Sequence, residues 1–192
     1  MKKLNKTLLP HALALSLLAP NMLHAGTVQV QAGKSPPAMY IRQLRENQFI
    51  TLTFHDVRDD VAKQGDRDVY AISTQNLGQF FAWIKREGWQ PIRLQDVMQA
   101  RLKQQKLPEK AIMLTFDDGA LSSYSKVFPL LKAYSYPAVF AIPTSWINGN
   151  TKDAFEAYGE GSLMNWGQMR EMQQSGLAEF VSHSDNLHRG IL

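Results

Sequence analysis

KAIMLTFDDGALS, residues 110–122, is the stretch on which the fold turns. An apolar, β-favouring run, AIMLTF at 111–116, stops at two adjacent carboxylates, Asp117 and Asp118, and then at Gly119. Continuous hydrophobicity marks a strand covered on both faces, and in α/β proteins chemistry collects at the carboxyl ends of such strands. Asp-Gly is also a strong hairpin signal, so the residues that follow must separate the two readings. Val127, Leu130, Leu131 and Tyr134 fall at i, i+3, i+4 and i+7, the spacing of one helix face. The unit is therefore strand, acidic turn, helix.

Outward from this unit the same alternation repeats. Residues 49–54 predict a strand ending at His55-Asp56-Val57, and a charged loop follows over 58–68, whose Asp59, Asp60, Asp66 and Asp68 do not have calcium-loop spacing. Ser73 or Thr74 caps a helix with Leu77, Phe80, Phe81 and Ile84 on one stripe, and Gly88 stops it. A short strand is predicted at 90–94 and a basic amphipathic helix at 96–106, closed by Leu107-Pro108. Beyond the central unit, Pro137 ends the helix, 138–142 forms a strand, and 143–165 is a long Gly-, Asn- and Ser-rich loop of the kind that lines sites. A helix at 168–174, stopped by Gly176, leads to a last strand at 178–182. Five strands alternating with helices imply an α/β architecture with parallel strands, either barrel or open sheet.

The first 25 residues stand apart from this pattern. Lys2, Lys3 and Lys6 make a basic start, 8–23 is mostly apolar but broken by Pro10 and Pro20, and Ala25 precedes Gly26, the layout of a secretory signal peptide. An extended leader at 26–48 then precedes one domain over 49–192. The segment holds three of the 21 Lys and Arg and none of the 17 Asp and Glu, so the rest of the chain carries 18 against 17, about +1. The basic pI is a targeting feature, and it gives no reason to expect nucleic acid as a partner. The expected compartment is the periplasm or the exterior, with no transmembrane span in the mature chain. No cysteine is present, which excludes disulfides, thiolate metal sites, a Cys nucleophile and lipid attachment through an N-terminal Cys, and leaves His, Asp and Glu as metal ligands.

Three strand ends carry chemistry-bearing residues: His55, the pair Asp117 and Asp118, and His183 followed by His188. In a parallel sheet all of them lie on one edge. His183 and His188 are five apart, about 140° on a helix, so they are not a helical metal pair; on a strand end and the turn after it they can converge on one ion. With one carboxylate they form a two-His, one-Asp set with open positions for water and substrate. Successive carboxylates on an extended chain point in different directions, so one binds metal while the other faces the substrate; spacing alone leaves open which does which. A divalent ion makes hydroxide available near neutral pH, the second carboxylate takes a proton, and an acid must protonate the leaving amine, a role open to His55 if it reaches the site.

These residues resemble a known family. TFDDG at 115–119 together with SHSDNLH at 182–188 is similar to the polysaccharide deacetylase (NodB-like) domain of carbohydrate esterase family 4. The wider runs, FHDV at 54–57, EGWQPI at 87–92, LPEKAIMLTFDDG at 107–119, YPAVFAIPTSWI at 136–147 and EFVSHSDNLHRGI at 179–191, resemble its PgaB/HmsF branch, which N-deacetylates the biofilm polysaccharide poly-β-1,6-N-acetyl-D-glucosamine. The resemblance implies an incomplete (β/α) barrel with about five parallel strands present. It makes Asp117 the catalytic base, His55 the general acid, and Asp118, His183 and His188 the ligands of a divalent metal ion such as zinc, iron, nickel or cobalt. It implies poly-N-acetylglucosamine as substrate and the polysaccharide export machinery of the cell envelope as a partner. Trp146, Tyr158 and Trp166, in or beside the long loop, are candidates to stack on sugar rings.

Family members continue past the second histidine with further strands, so the chain ending at Leu192 reads as a fragment or a prematurely terminated product. The alternative function is a non-catalytic carbohydrate-binding or assembly remnant of the same enzyme. A phosphatase using a strand-end aspartate nucleophile usually wants a second carboxylate two residues on, where Gly119 stands.

Overall fold

The computed structural model describes residues 46–61, 70–149 and 162–187. The basic and apolar start, the leader as far as residue 45, Tyr158 and His188 lie outside the described residues. The chain runs β1 (Phe49–Phe54), β2 (Asp56–Val57), β3 (Ala71–Ile72), α1 (Thr74–Arg86), β4 (Gln90–Pro91), α2 (Leu94–Arg101) and β5 (Ala111–Asp117). A π-helical turn, Ser123–Val127, then runs directly into α3 (Phe128–Tyr134), followed by β6 (Ala138–Ile142), α4 (Thr144–Ile147), α5 (Trp166–Gln174) and β7 (Ala178–Ser182).

As the alternation requires, the main sheet has five strands and every pairing in it is parallel. Its order is β1-β5-β6-β7, and β4 pairs with the start of β5. β6 takes residues 115–117 of β5 and β4 takes 111–112, so the two share the edge of β5 opposite β1. Among the described residues the sheet is open, not a closed barrel. β2 and β3 form a separate two-stranded parallel sheet.

Register is fixed by a row of phenylalanines. Phe54 pairs with Phe116, Phe116 with Phe140 and Phe140 with Phe180, one ring from each of four adjacent strands. Neighbouring centroids are 5.2, 5.3 and 5.4 Å apart with the rings nearly stacked. Side chains alternate between faces, so a slip by one residue would move the whole row to the wrong side. The row thus sets the relative heights of the strand ends just beyond it.

The face carrying these rings is the buried one. Ile112, Leu114 and Phe116 of β5 are fully buried and join one core with Leu77, Phe81 and Ile84 of α1, Val127 and Leu131, and Met169 and Met172 of α5. The opposite face of β5, Met113, Thr115 and Asp117, is half-exposed. The expectation of a strand covered on both faces is therefore met on one face only. At its amino end the second face is closed by α2, where Ala100 joins Ile92, Leu107 and Ala111 in a smaller core. Glu179 of β7 holds α2 there, accepting from Leu94 N–H at 2.8 Å, a carboxylate placed at the positive end of the helix dipole. Among the described residues the carboxyl end of the same face, with Asp117, stays half-open.

Several boundaries move for physical reasons. Ser73 caps α1 as predicted, its hydroxyl accepting from Asn76 N–H at 3.1 Å. α2 begins two residues before its predicted start because Asp96 folds back onto Arg93 N–H at 2.8 Å, and it ends early where Lys103 turns left-handed at φ 59°. The helix after the acidic turn opens with a π-turn, which inserts a residue into the 3.6 spacing and buries Phe128, a position outside the predicted stripe. The loop predicted from 143 begins with the short helix α4. No helix among the described residues is long and apolar enough to cross a membrane.

Candidate active site

β5 delivers the two aspartates in different settings. Asp117 is its last residue, paired in register with Ala141 and half-exposed on the open face. Asp118 turns left-handed at φ 70° and is 1% exposed, so one carboxylate is buried while its neighbour is half-exposed. Left-handed backbone costs a β-carbon residue roughly 1–2 kcal/mol, least for Asp and Asn, and such strain collects at functional sites. Gly119 continues the turn at φ 71°, where an added Cβ would stand 3.2 Å from the side-chain tips of both Ile142 and Ile147. Glycine is required there by backbone conformation as well as by space.

β6 holds both halves of the site. Asp118 N–H donates to Ala141 O at 3.0 Å, and His183 N–H donates to Ile142 O at 3.0 Å. Adjacent carbonyls on opposite edges of one strand therefore anchor the chain just after β5 and just after β7. This brings His183 Nε2 to 3.5 Å from Asp118 Oδ1, with the imidazole about one-third exposed and the carboxylate buried. The separation is longer than the usual hydrogen-bond range of about 2.7–3.2 Å. It is close to the separation of about 3.4 Å between two donors that each lie about 2.1 Å from a tetrahedral ion. A carboxylate and an imidazole in this relation suit a divalent cation. Among the described residues no third His, Asp or Glu completes a group of three, and the third predicted ligand, His188, lies outside them.

The turn after His183 is tied down on the same side. Ser184 is left-handed at φ 70°, as Asp118 is, and its hydroxyl accepts from Leu187 N–H at 2.9 Å. Asp185, unremarked in the sequence, accepts through its carboxylate from Thr144 Oγ1 and through its backbone carbonyl from Ser145 Oγ and Ser145 N–H. Behind the acidic turn, Gly119 O accepts from Met164 N–H and Ser162 O from Leu121 N–H, each at 2.9 Å, so the far end of the long loop returns to brace the aspartates.

The other predicted residues divide. His55 follows Phe54, the partner of Phe116, and so stands at the end of β1 beside the end of β5; its ring meets the edge of Tyr70 at 5.1 Å. Trp166 starts α5 and is 43% exposed, with Nε1 donating to Asn148 Oδ1 at 3.0 Å. It lines a cavity of about 260 Å³ with Thr144, Arg170, Phe180 and Ser182, immediately before His183. Trp146 is half-buried on α4 and is not among the residues lining that cavity. Sequence reasoning missed the carbonyls of Ala141 and Ile142, which carry no side-chain signal, and the brace at Asp185, visible only as a carboxylate between two histidines.

Residues 104–189 match the polysaccharide deacetylase family. A poly-β-1,6-N-acetyl-D-glucosamine N-deacetylase of Escherichia coli K12 is 37% identical over 149 residues, 76% of this chain and 22% of that protein. Among solved structures, a de-N-acetylase from Aggregatibacter actinomycetemcomitans superposes with a TM-score of 0.65 at 38% identity, covering 73% of this chain and 56% of that one. The BpsB deacetylase domain from Bordetella bronchiseptica gives 0.60 at 41% identity, covering 75% and 57%. The chain thus spans about a fifth of the Escherichia coli relative and somewhat over half of each of these solved chains. With an open parallel sheet, an acidic turn and a histidine strand end of this kind, residues 104–189 make up a polysaccharide deacetylase domain.

Proposed function

We propose that the chain removes acetyl groups from N-acetylglucosamine units of an exported poly-β-1,6-N-acetyl-D-glucosamine, by metal-dependent hydrolysis. The observation that carries this reading is the Asp118–His183 pair, 3.5 Å apart at the carboxyl edge of the sheet with Asp117 beside it on the open face. The substrate is taken from the activity of the Escherichia coli relative.

Asp118, His183 and His188 would hold a divalent ion, zinc, iron, nickel or cobalt, which supplies Lewis acidity toward the acetyl carbonyl and acidifies water. Asp117, half-exposed beside the buried Asp118, accepts the proton of the water that adds to the amide carbon. His55 donates a proton to the nitrogen as the C–N bond breaks, so that acetate and a free amine leave. Trp166, with Trp146 and Tyr158, offers ring faces to the apolar side of the sugars. The signal-like segment at 1–25 and an exported substrate support a secreted, periplasmic location, and the export machinery of the envelope as a partner.

The test is acetate release from N-acetylated β-1,6-glucosamine oligomers by the metal-supplemented chain. Acetate is expected in one-to-one ratio with new primary amines, and a chelator should stop it. Metal and oligomer binding with no acetate would favour the carbohydrate-binding remnant instead.

A further inference from the structure

In the proposed mechanism His55 comes from a different place than the other groups, the turn between β1 and β2. That turn is fastened to the acidic turn by a buried pair. Ser122 Oγ donates to Asp56 Oδ1 at 2.7 Å, and the same oxygen accepts from Val57 N–H at 3.1 Å. Ser122 and Val57 are fully buried and Asp56 is 2% exposed. Asp56 directly follows His55, and Ser122 lies four residues after Asp118. Residues 66 apart in sequence thus join the turn bearing the acid to the turn bearing the two aspartates. Hydrogen bonds to a carboxylate are the strong kind, and at this depth water does not replace them.

The neighbouring ties have another purpose. Asp56 N–H donates to Tyr70 O at 3.1 Å and Arg58 N–H to Ile72 O at 3.0 Å, which holds the segment to β3. Lys126 Nζ stands 3.8 Å from Asp59 Oδ2 across half-open surface, where an ion pair contributes little. Among these contacts the Ser122 hydroxyl alone joins the residues next to His55 to the acidic turn through buried atoms.

We propose that Asp56 and Ser122 are positioning residues that act through His55, holding its turn in register with Asp117 and Asp118. The proposal rests on the deacetylase reading, in which His55 protonates the leaving nitrogen. A residue that only stabilised the fold would act whether or not His55 were present; a positioning residue acts only when it is.

The experiment combines Ser122→Ala with His55→Ala in the full chain. Ser122→Ala alone should lower kcat about 100-fold, the scale on which a misplacement of about 1 Å acts, with metal content unchanged. In the His55→Ala background it should add less than about a twofold loss, because the two then share one pathway. Asp56→Asn keeps an acceptor oxygen and should retain most of what Asp56→Ala loses. In ¹⁵N-histidine spectra the His55 ring signals should shift in Ser122→Ala while those of His183 stay in place. Equal losses in both backgrounds, loss of metal, or unmoved His55 signals would overturn the assignment. If the wild-type chain releases no acetate, the deacetylase reading fails, and the histidine spectra still decide whether the pair positions His55.

Discussion

Asp118→Asn is expected to lose the bound metal and with it all measurable turnover, whereas Asp117→Asn keeps the metal and loses turnover by about 10²- to 10⁴-fold, the usual contribution of a general base. The asymmetry follows from geometry. Asp118 is buried, faces His183 Nε2 at 3.5 Å and is held there through its own N–H on Ala141 O. An asparagine there offers a neutral oxygen in place of a charged one, and it tolerates the left-handed φ of 70°, so the turn itself survives. Asp117 ends the strand on the half-exposed face, and its amide loses the capacity to accept a proton without disturbing the buried pair. Metal content after dialysis and acetate release are measured on both variants. Equal metal loss in the two would reverse or dissolve the division of labour.

Phe116→Ala is expected to destabilise the fold by about 3–5 kcal/mol, the cost of emptying an aromatic site in a packed core. Phe116 is fully buried, and its ring lies between Phe54 at 5.2 Å and Phe140 at 5.3 Å. Removing it opens the middle of a four-ring row, and Phe54 and Phe140 each lose a stacked neighbour. It also weakens what keeps β1, β5 and β6 in register, so the ends carrying His55 and Asp117 lose their relative heights. Met113→Ala, on the half-exposed face of the same strand, should cost much less. Urea unfolding of both variants gives the comparison; a cost below about 1 kcal/mol for Phe116→Ala, in the range of surface substitutions, would mean the row does not hold the sheet.

The strands and the site differ in how far sequence reveals them. β1, β6 and β7 have the residue limits predicted from sequence: β6 is a continuous apolar run set between prolines, and β1 and β7 are short β-favouring stretches that end at a histidine. β4 falls inside the strand predicted at 90–94 but keeps only its first two residues, whereas β2 and β3 are two-residue strands defined by pairing with each other, and local pattern has nothing to detect there. The periodicity that finds the fully buried Val127 and Leu131 misses Phe128, because the π-turn before it breaks the 3.6 spacing. At the site, Asp118 and His183 are named by their positions at strand ends. Their convergence depends on Ala141 and Ile142 carbonyls, which any residue would supply. Ser122 looks like an ordinary helix-start serine until the fold sets it against Asp56.

Asp118 and His183 together are expected to hold a divalent ion at the carboxyl edge of the sheet. This expectation is tested most directly by a crystal structure of the chain loaded with cobalt, with the metal located from its anomalous scattering. One strong peak is expected within about 2.0–2.2 Å of an Asp118 oxygen and His183 Nε2, with His188 as a further ligand. A peak elsewhere, or Asp118 and His183 bonded to each other with no metal between them, would contradict it.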